Sequence, residues 1–403
     1  MTHTGSFPFR ICTNTNYHNN NNSNRNILVL LILLITTTAT VSASHGDNLY
    51  EFQDCLSKCV CSEIPPQMYS VFWSCLSNCN YYCQQSITNQ RAQEKLPMVQ
   101  FYGKWPFRRI MGIQELALVV FSLGNLWVNW TNLKMITRQY KKNSNHNTST
   151  TSLTTSTTTS SYPNNGKNNK SLGAYTNNHY LGKHEEVRVM YWQYMVLLAV
   201  SCMGWIFSMI FHTYDIGVTE TLDYIGAFAI ILANLNVITV RVFHLNHKKN
   251  WSKLLIWQGG LLILYTYHVI RLYMHWDYAY NMQINMIMGF SAMILWIVHS
   301  LQVARKYRAN FVIYNNSIQL LPYETRILAK LHYLRISKLW LIPYIPIINN
   351  CILVCGILLE VNDFEPWWRL VDAHSLWHLL TIFPNLIWFD WNVWDIEMTK
   401  LLD

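Results

Sequence analysis

Seven apolar stretches recur along the chain, at roughly 112–131, 190–212, 222–244, 254–274, 283–302, 339–360 and 374–395. Each is long enough for a tilted helix across a hydrocarbon layer of about 30 Å, which takes about 20 residues. The third and seventh also carry polar residues. A shorter apolar run, Ile27 to Ile35, lies upstream, with Arg10 and Arg25 before it and the small-residue triplet Val41-Ser42-Ala43 after it. That order is the pattern of a signal peptide. The pattern predicts an all-α membrane protein: a leader and signal over 1–43, a lumenal segment over 44–111, and a seven-transmembrane-helix bundle over 112–403. Residues 143–180 are rich in Ser, Thr and Asn and are expected to form a disordered cytosolic insert.

Composition agrees with membrane residence. Apolar residues make up 51% of the chain and charged residues only 13%, against about 25% charged in an ordinary soluble domain. The 17 Trp and 24 Tyr suit membrane–water interfaces. The net charge of +9 does not point to nucleic acid, because the basic residues are not gathered into one aromatic-interleaved patch.

Those basic residues fix an expected orientation. The loops after spans one, three and five carry Lys134, Arg138, Lys141, Lys142, Lys183 and Arg188; Lys248, Lys249 and Lys253; and Arg305, Lys306, Arg308, Arg326, Lys330, Arg335 and Lys338. The opposite loops are poor in Lys and Arg, as the positive-inside rule requires if the segment after the signal is lumenal. The sequon Asn147-Thr148-Ser149 would then lie in the cytosol, away from glycosylation.

Six of the ten cysteines, Cys55, Cys59, Cys61, Cys75, Cys79 and Cys83, fall between the signal and the first span. An even count facing an oxidising lumen reads as three disulfides with fifteen possible pairings. An all-Cys zinc module remains the alternative. Cys202, Cys351 and Cys355 are expected to pack inside spans.

Candidate chemistry concentrates at one membrane boundary. Ser208 and His212 are four apart at the end of span two, and Asp223 opens span three after a short loop. His374 and His378 are again four apart at the start of span seven, a spacing that places both on one helix face. Three imidazoles, a carboxylate and a hydroxyl are thus expected at one depth. Three protein ligands with an open fourth position make a catalytic zinc arrangement. Asp215 is a rival for the carboxylate role, and Asp215, Glu220 and Asp372 are candidate partners for the imidazoles. Asn234 and Asn236 are expected to join helices. His268 and Arg271 in span four either line a polar site or snorkel.

The run from Phe207 to Tyr224, FSxxFHxxDxxxTExxDY, resembles the post-GPI attachment to proteins factor 3 family. Its broader relatives are the CREST membrane hydrolases, including alkaline ceramidases and the adiponectin-receptor group. The six-cysteine segment and the stretch from Phe101 to Phe107 belong to the same resemblance, which favours the GPI-remodelling branch over a ceramidase or a seven-helix receptor. The resemblance implies a phospholipase A2-like enzyme that removes the sn-2 acyl chain from the inositol phospholipid of GPI-anchored proteins, in the endoplasmic reticulum or Golgi. It implies Zn²⁺ on His212, His374 and His378. Asp223 would handle the proton of the attacking water, and Ser208 would donate a hydrogen bond to the developing oxyanion.

Overall fold

The computed structural model describes residues 44–153, 170–310 and 323–402. The leader and signal reading over 1–43 lies outside these residues, and so does 154–169 in the Ser/Thr/Asn-rich tract. Where that tract is described it is helical, up to Leu153 and again from Lys170.

Among the described residues ten α-helices follow one another, with no strand. Two short ones, α1 (Tyr50–Lys58) and α2 (Cys75–Gln93), form the cysteine-rich head. The long helices are α3 (Leu116–Leu153), α4 (Lys170–Thr213), α5 (Gly217–Val242), α6 (Trp251–Met274) and α7 (Tyr278–Ala309). After α8 (Glu324–Tyr333) come α9 (Ile345–Val361) and α10 (Ala373–Leu402). A helix thus occupies each of the seven apolar stretches. Five segments are long and apolar enough by themselves to cross a membrane: 116–143, 185–213, 217–242, 278–309 and 339–361. α6 and α10 fall outside that set because they carry polar groups: Lys253, Gln258, His268 and Arg271 in one, and His374, His378, Asp390 and Asp395 in the other.

The bundle is polar at selected interior points and apolar on its outside, as a lipid solvent requires. Leu255, Ile256, Leu262 and Ile263 of α6 are exposed. Inside, a core of Tyr191, Tyr194, Trp296, Trp388, Phe389, Trp391 and Trp394 joins α4, α7 and α10. With little hydrophobic drive between helices in lipid, close packing and interhelical hydrogen bonds must hold them. α3 supplies Asn125 and Asn132, whose amides donate to the carbonyls of His378 and Asn385 in α10, both at 2.8 Å. The expected asparagine joints also form: Trp296 Nε1 donates to Asn234 at 3.1 Å, and Asn236 donates to Gln193 at 2.8 Å. Arg271 snorkels to the helix end, where it lies 3.6 Å from Asp277 and 3.5 Å over the Tyr280 ring, whereas His268 is fully buried.

The head resolves the fifteen-way ambiguity. Cys55–Cys83, Cys59–Cys79 and Cys61–Cys75 form a nested ladder between α1 and the segment before α2 on one side and α2 on the other. Its core is small, centred on Phe52 and Phe101 with ring centroids 4.7 Å apart. Covalent staples supply what so small a core cannot. One expectation fails nearby in the bundle: Cys351 and Cys355 are exposed on α9, and only Cys202 is buried. They are one turn apart on the face that α9 turns away from its neighbours.

Two tight turns tie the head to the bundle. Tyr102-Gly103 and Met111-Gly112 each place two consecutive residues at positive φ (52° and 77°, 53° and 83°). This is the turn that reverses a chain in two residues, and glycine takes the second position without a Cβ penalty. The first turn presents Lys104 to Asp215 at 2.7 Å, in the loop between α4 and α5. Burial alone would lower the Lys104 ammonium, but Asp215 and Glu220 more than offset it, so its pKa is raised. After the second turn, the backbone amides of Gln114 and Glu115 donate to Thr213 and His212 carbonyls at 3.2 and 3.0 Å. Arg108 N donates to Arg369 O at 3.0 Å. The head therefore sits on the end of the bundle where α4 stops and α10 starts.

Candidate metal centre

That end holds the histidines. α4 delivers Ser208 and His212 on one face, both buried, at 4% and 2% exposure. α10 delivers His374 and His378. Its first turn is fixed by a reciprocal cap: Ser375 N donates to Asp372 Oδ1 at 2.8 Å, and Asp372 N donates to Ser375 Oγ at 2.9 Å. Such a cap satisfies amides that a helix start leaves unpaired. One turn on, Asn125 and Thr381 both bond the His378 carbonyl at 2.8 Å, which anchors the second histidine to α3.

The three imidazoles meet. Ring centroids are 5.5 Å apart for His212–His374, 5.2 Å for His212–His378 and 4.7 Å for His374–His378. One potential ligand atom from each lies within 4.8 Å of the others. Each ring also has its Nδ1 engaged. His212 Nδ1 is 2.5 Å from Glu115 Oε2, His374 Nδ1 is 2.9 Å from Glu360 Oε1, and His378 Nδ1 is 3.0 Å from Ser122 Oγ. This leaves Nε2 of each ring as the atom for a common ligand. His212 Nε2 is buried without a hydrogen-bond partner among the described residues, an arrangement that costs free energy unless something binds there. Metal-bound histidines characteristically give their other nitrogen to a carboxylate or hydroxyl, which fixes the tautomer and the ring. The donor set therefore fits a three-histidine zinc site with an open position.

The polar groups around the cluster are partly the expected ones. Asp223, in the first turns of α5, interacts with the Ser208 side chain and lies within electrostatic reach of His212 and His374. Ser208 Oγ is also 3.4 Å from Ser122 Oγ. Asp215 and Glu220, by contrast, do not hold an imidazole. They face Lys104 at 2.7 and 3.7 Å. Asp372 serves the α10 cap. The partners of the rings are Glu115, Ser122 and Glu360, from the residue before α3, from α3 and from α9. Sequence reasoning missed all three. Glu115 and Glu360 did carry a signal, as carboxylates at the ends of apolar stretches, where an ionisable group needs a partner. Ser122 carried none. Trp205 closes the apolar side of the site, its ring 5.3 Å from His378.

The Per1-like family model matches residues 65–396, which takes in the helices bearing all of these groups. The chain belongs to the Per1-like family. It is 28% identical to Protein PER1 of Saccharomyces cerevisiae, over 88% of this chain and 93% of the yeast protein. It is 28% identical to Post-GPI attachment to proteins factor 3 of Drosophila melanogaster, over 84% and 85% of the two chains. It is also 28% identical to GPI-specific phospholipase A2-like PGAP3 of Mus musculus, over 86% and 87%. No solved structure matches.

Proposed function

We propose that this chain is a seven-span, zinc-dependent lipid hydrolase that removes the sn-2 acyl chain from the inositol phospholipid of GPI-anchored proteins. The observation that carries the reading is the cluster of His212, His374 and His378, each with Nδ1 committed and Nε2 left for one ligand. The names of the fly and mouse relatives supply the lipid.

Zinc bound to three imidazoles supplies Lewis acidity and makes a water more acidic, to a pKa of about 7. The chain's own groups do the rest. Asp223 orients the attacking water, takes its proton, and passes that proton to the sn-2 alkoxide as the acyl–oxygen bond breaks. The products are a free fatty acid and a lysophospholipid. Ser208, held between Ser122 and Asp223, donates a hydrogen bond to the developing oxyanion. Ser208 is not the nucleophile, since a metal-bound His212 has no nitrogen left to act as its base. Trp205 excludes water from one side.

Sidedness follows from the same frame. Disulfides persist in oxidising compartments, and the disulfide head packs on the histidine end of the bundle. The other end carries Lys248, Lys249, Lys253, Arg305 and Lys306, the cytosolic signature. Both features support a site that opens to a lumen, and the resemblance to the GPI-remodelling family supplies the endoplasmic reticulum or Golgi as that lumen.

The test is His374→Ala in the full-length protein. The variant is expected to retain its helical content and thermal transition, to lose stoichiometric zinc on elemental analysis, and to leave the unsaturated sn-2 chain on GPI anchors in cells that rely on it. Normal anchor remodelling by this variant would sink the proposal. Release of fatty acid from ceramide but not from a GPI lipid would reassign the substrate.

A further inference from the structure

The cysteine-rich head has an uncharged, apolar tip. Between Glu63 and Arg91 the chain carries no Asp, Glu, Lys or Arg, whereas an ordinary soluble domain has about one charged residue in four. The apolar residues of that stretch do not all go inside. Trp73 N donates to Ser70 O at 3.2 Å and closes a turn whose two corner residues are Val71 and Phe72. Such corners ordinarily take Gly, Pro, Asn, Asp or Ser. Here the corner side chains are 78% and 74% exposed, and Leu76 in the first turn of α2 is exposed as well.

The turn is fixed from below. The buried Asn78 side chain accepts from Ser70 N at 3.2 Å and donates to the Ser70 and Trp73 carbonyls at 2.9 and 3.2 Å. Trp73 is buried, its Nε1 donates to Gly112 O at 2.9 Å, and its ring lies 4.5 Å from the Tyr214 ring. The Met111-Gly112 turn therefore abuts the Ser70–Trp73 turn: a Cβ on Gly112 would come within 3.2 Å of Ser70 Oγ and 3.3 Å of the Phe72 ring. Met111 is 93% exposed at φ 53°, a backbone region costly for a residue with a Cβ. The nearest cation in sequence, Arg109, is turned onto the rings of Trp73 and Tyr81 at 3.8 and 4.5 Å. Depth is set by the bundle. Gln114, three residues after Met111, bonds the Thr213 carbonyl at the end of α4. From Leu116 onward α3 exposes Val120, Leu123, Trp127 and Trp130, a stripe at helical spacing that belongs to lipid. Val120 is only about 6 Å along α3 from Leu116, at 1.5 Å per residue. The two turns thus sit at the edge of the surface that the bundle gives to lipid.

We propose that this tip docks on the bilayer itself: Val71, Phe72 and Met111 insert among the phospholipids of the leaflet on the histidine side and fasten the head to the membrane. Aliphatic and aromatic side chains without charge suit the boundary between head groups and hydrocarbon. Both turns are already fixed by the contacts beneath them, so insertion orders little that was free before. Met111 lies four residues before Glu115, the partner of His212, so the same contact steadies the segment that carries that carboxylate. The inference does not rest on the hydrolase reading.

The experiment places the full-length protein in vesicles of dioleoyl phosphatidylcholine, with a photoreactive residue at a single position: Phe72→p-benzoylphenylalanine, Met111→p-benzoylphenylalanine, or Lys58→p-benzoylphenylalanine as the control. Lys58 is an exposed cation of α1 that pairs with Asp54 in solvent. Irradiation followed by intact-mass spectrometry reads the fraction of protein that has gained a phosphatidylcholine. The adduct is expected at Phe72 and at Met111, in several times the yield at Lys58. All three side chains are exposed, so the substitutions leave the packing intact, which the thermal transition checks. No lipid adduct at either tip position, or equal yields at all three, would overturn the proposal. A product of twice the protein's mass at Phe72 or Met111, in place of the lipid adduct, would overturn the bilayer as the partner and make a second copy of this chain the occupant.

Discussion

Glu115→Ala removes the carboxylate that receives the His212 Nδ1–H at 2.5 Å. Loss of such an outer partner typically lowers metal affinity 10- to 100-fold, which is about 1.4–2.7 kcal/mol. The structure sets the place within that range. The two side chains are only 2% and 10% exposed, so water replaces the lost acceptor poorly and a buried N–H is left unpaired, at about 1–3 kcal/mol. The loss should approach 100-fold. The equivalent pair on α10 is wetter: His374 and Glu360 are 38% and 27% exposed, so Glu360→Ala should lose nearer tenfold. Glu115→Gln keeps an acceptor oxygen and should fall between them. Glu220→Gln is the control, because Glu220 faces Lys104, and should stay within twofold. The assay is zinc retention by purified full-length protein against graded chelator, read by elemental analysis. Wild-type retention in Glu115→Ala, or an equal loss in Glu220→Gln, would refute the assignment of Glu115 as the partner that positions His212.

Three further outcomes follow from packing and covalent structure. Asp395→Ala leaves Arg241 and His299 buried without their shared acceptor and is expected to cost about 3–5 kcal/mol, read as a large fall in the thermal transition. Gly356→Ala would place a Cβ 2.4 Å from the Trp377 ring where α9 meets α10; the overlap should cost about 1–3 kcal/mol and lower the transition, whereas Gly259→Ala, which meets nothing, should not. Replacing Cys61 and Cys75 together by Ser opens a loop with a sequence separation of 14. The chain-entropy relation gives about 3 kcal/mol for a loop of that size, and limited proteolysis should then cut the head first.

The sequence by itself determined the helices, their approximate ends and the three histidines that the fold brings together. Those follow from local rules: hydropathy over twenty residues marks a span, and i, i+4 spacing puts His374 and His378 on one face. It also placed His212, Ser208 and Asp223 at the same end of the bundle, because a short loop can only return the chain to the surface it left. Tertiary structure decided what each group touches. Nested pairing chose one of fifteen disulfide patterns, since the contact of α1 with α2 is not written in cysteine spacing. Lys104, delivered by a two-residue turn from the head, took Asp215 and Glu220 away from the imidazoles. Glu115, Ser122 and Glu360 took their place. These three are separated in sequence from their histidines by 97, 256 and 14 residues, and only the packing of α3 and α9 against α4 and α10 brings them to 3 Å. A hydrogen bond is decided at that scale, whereas periodicity specifies a face and a depth.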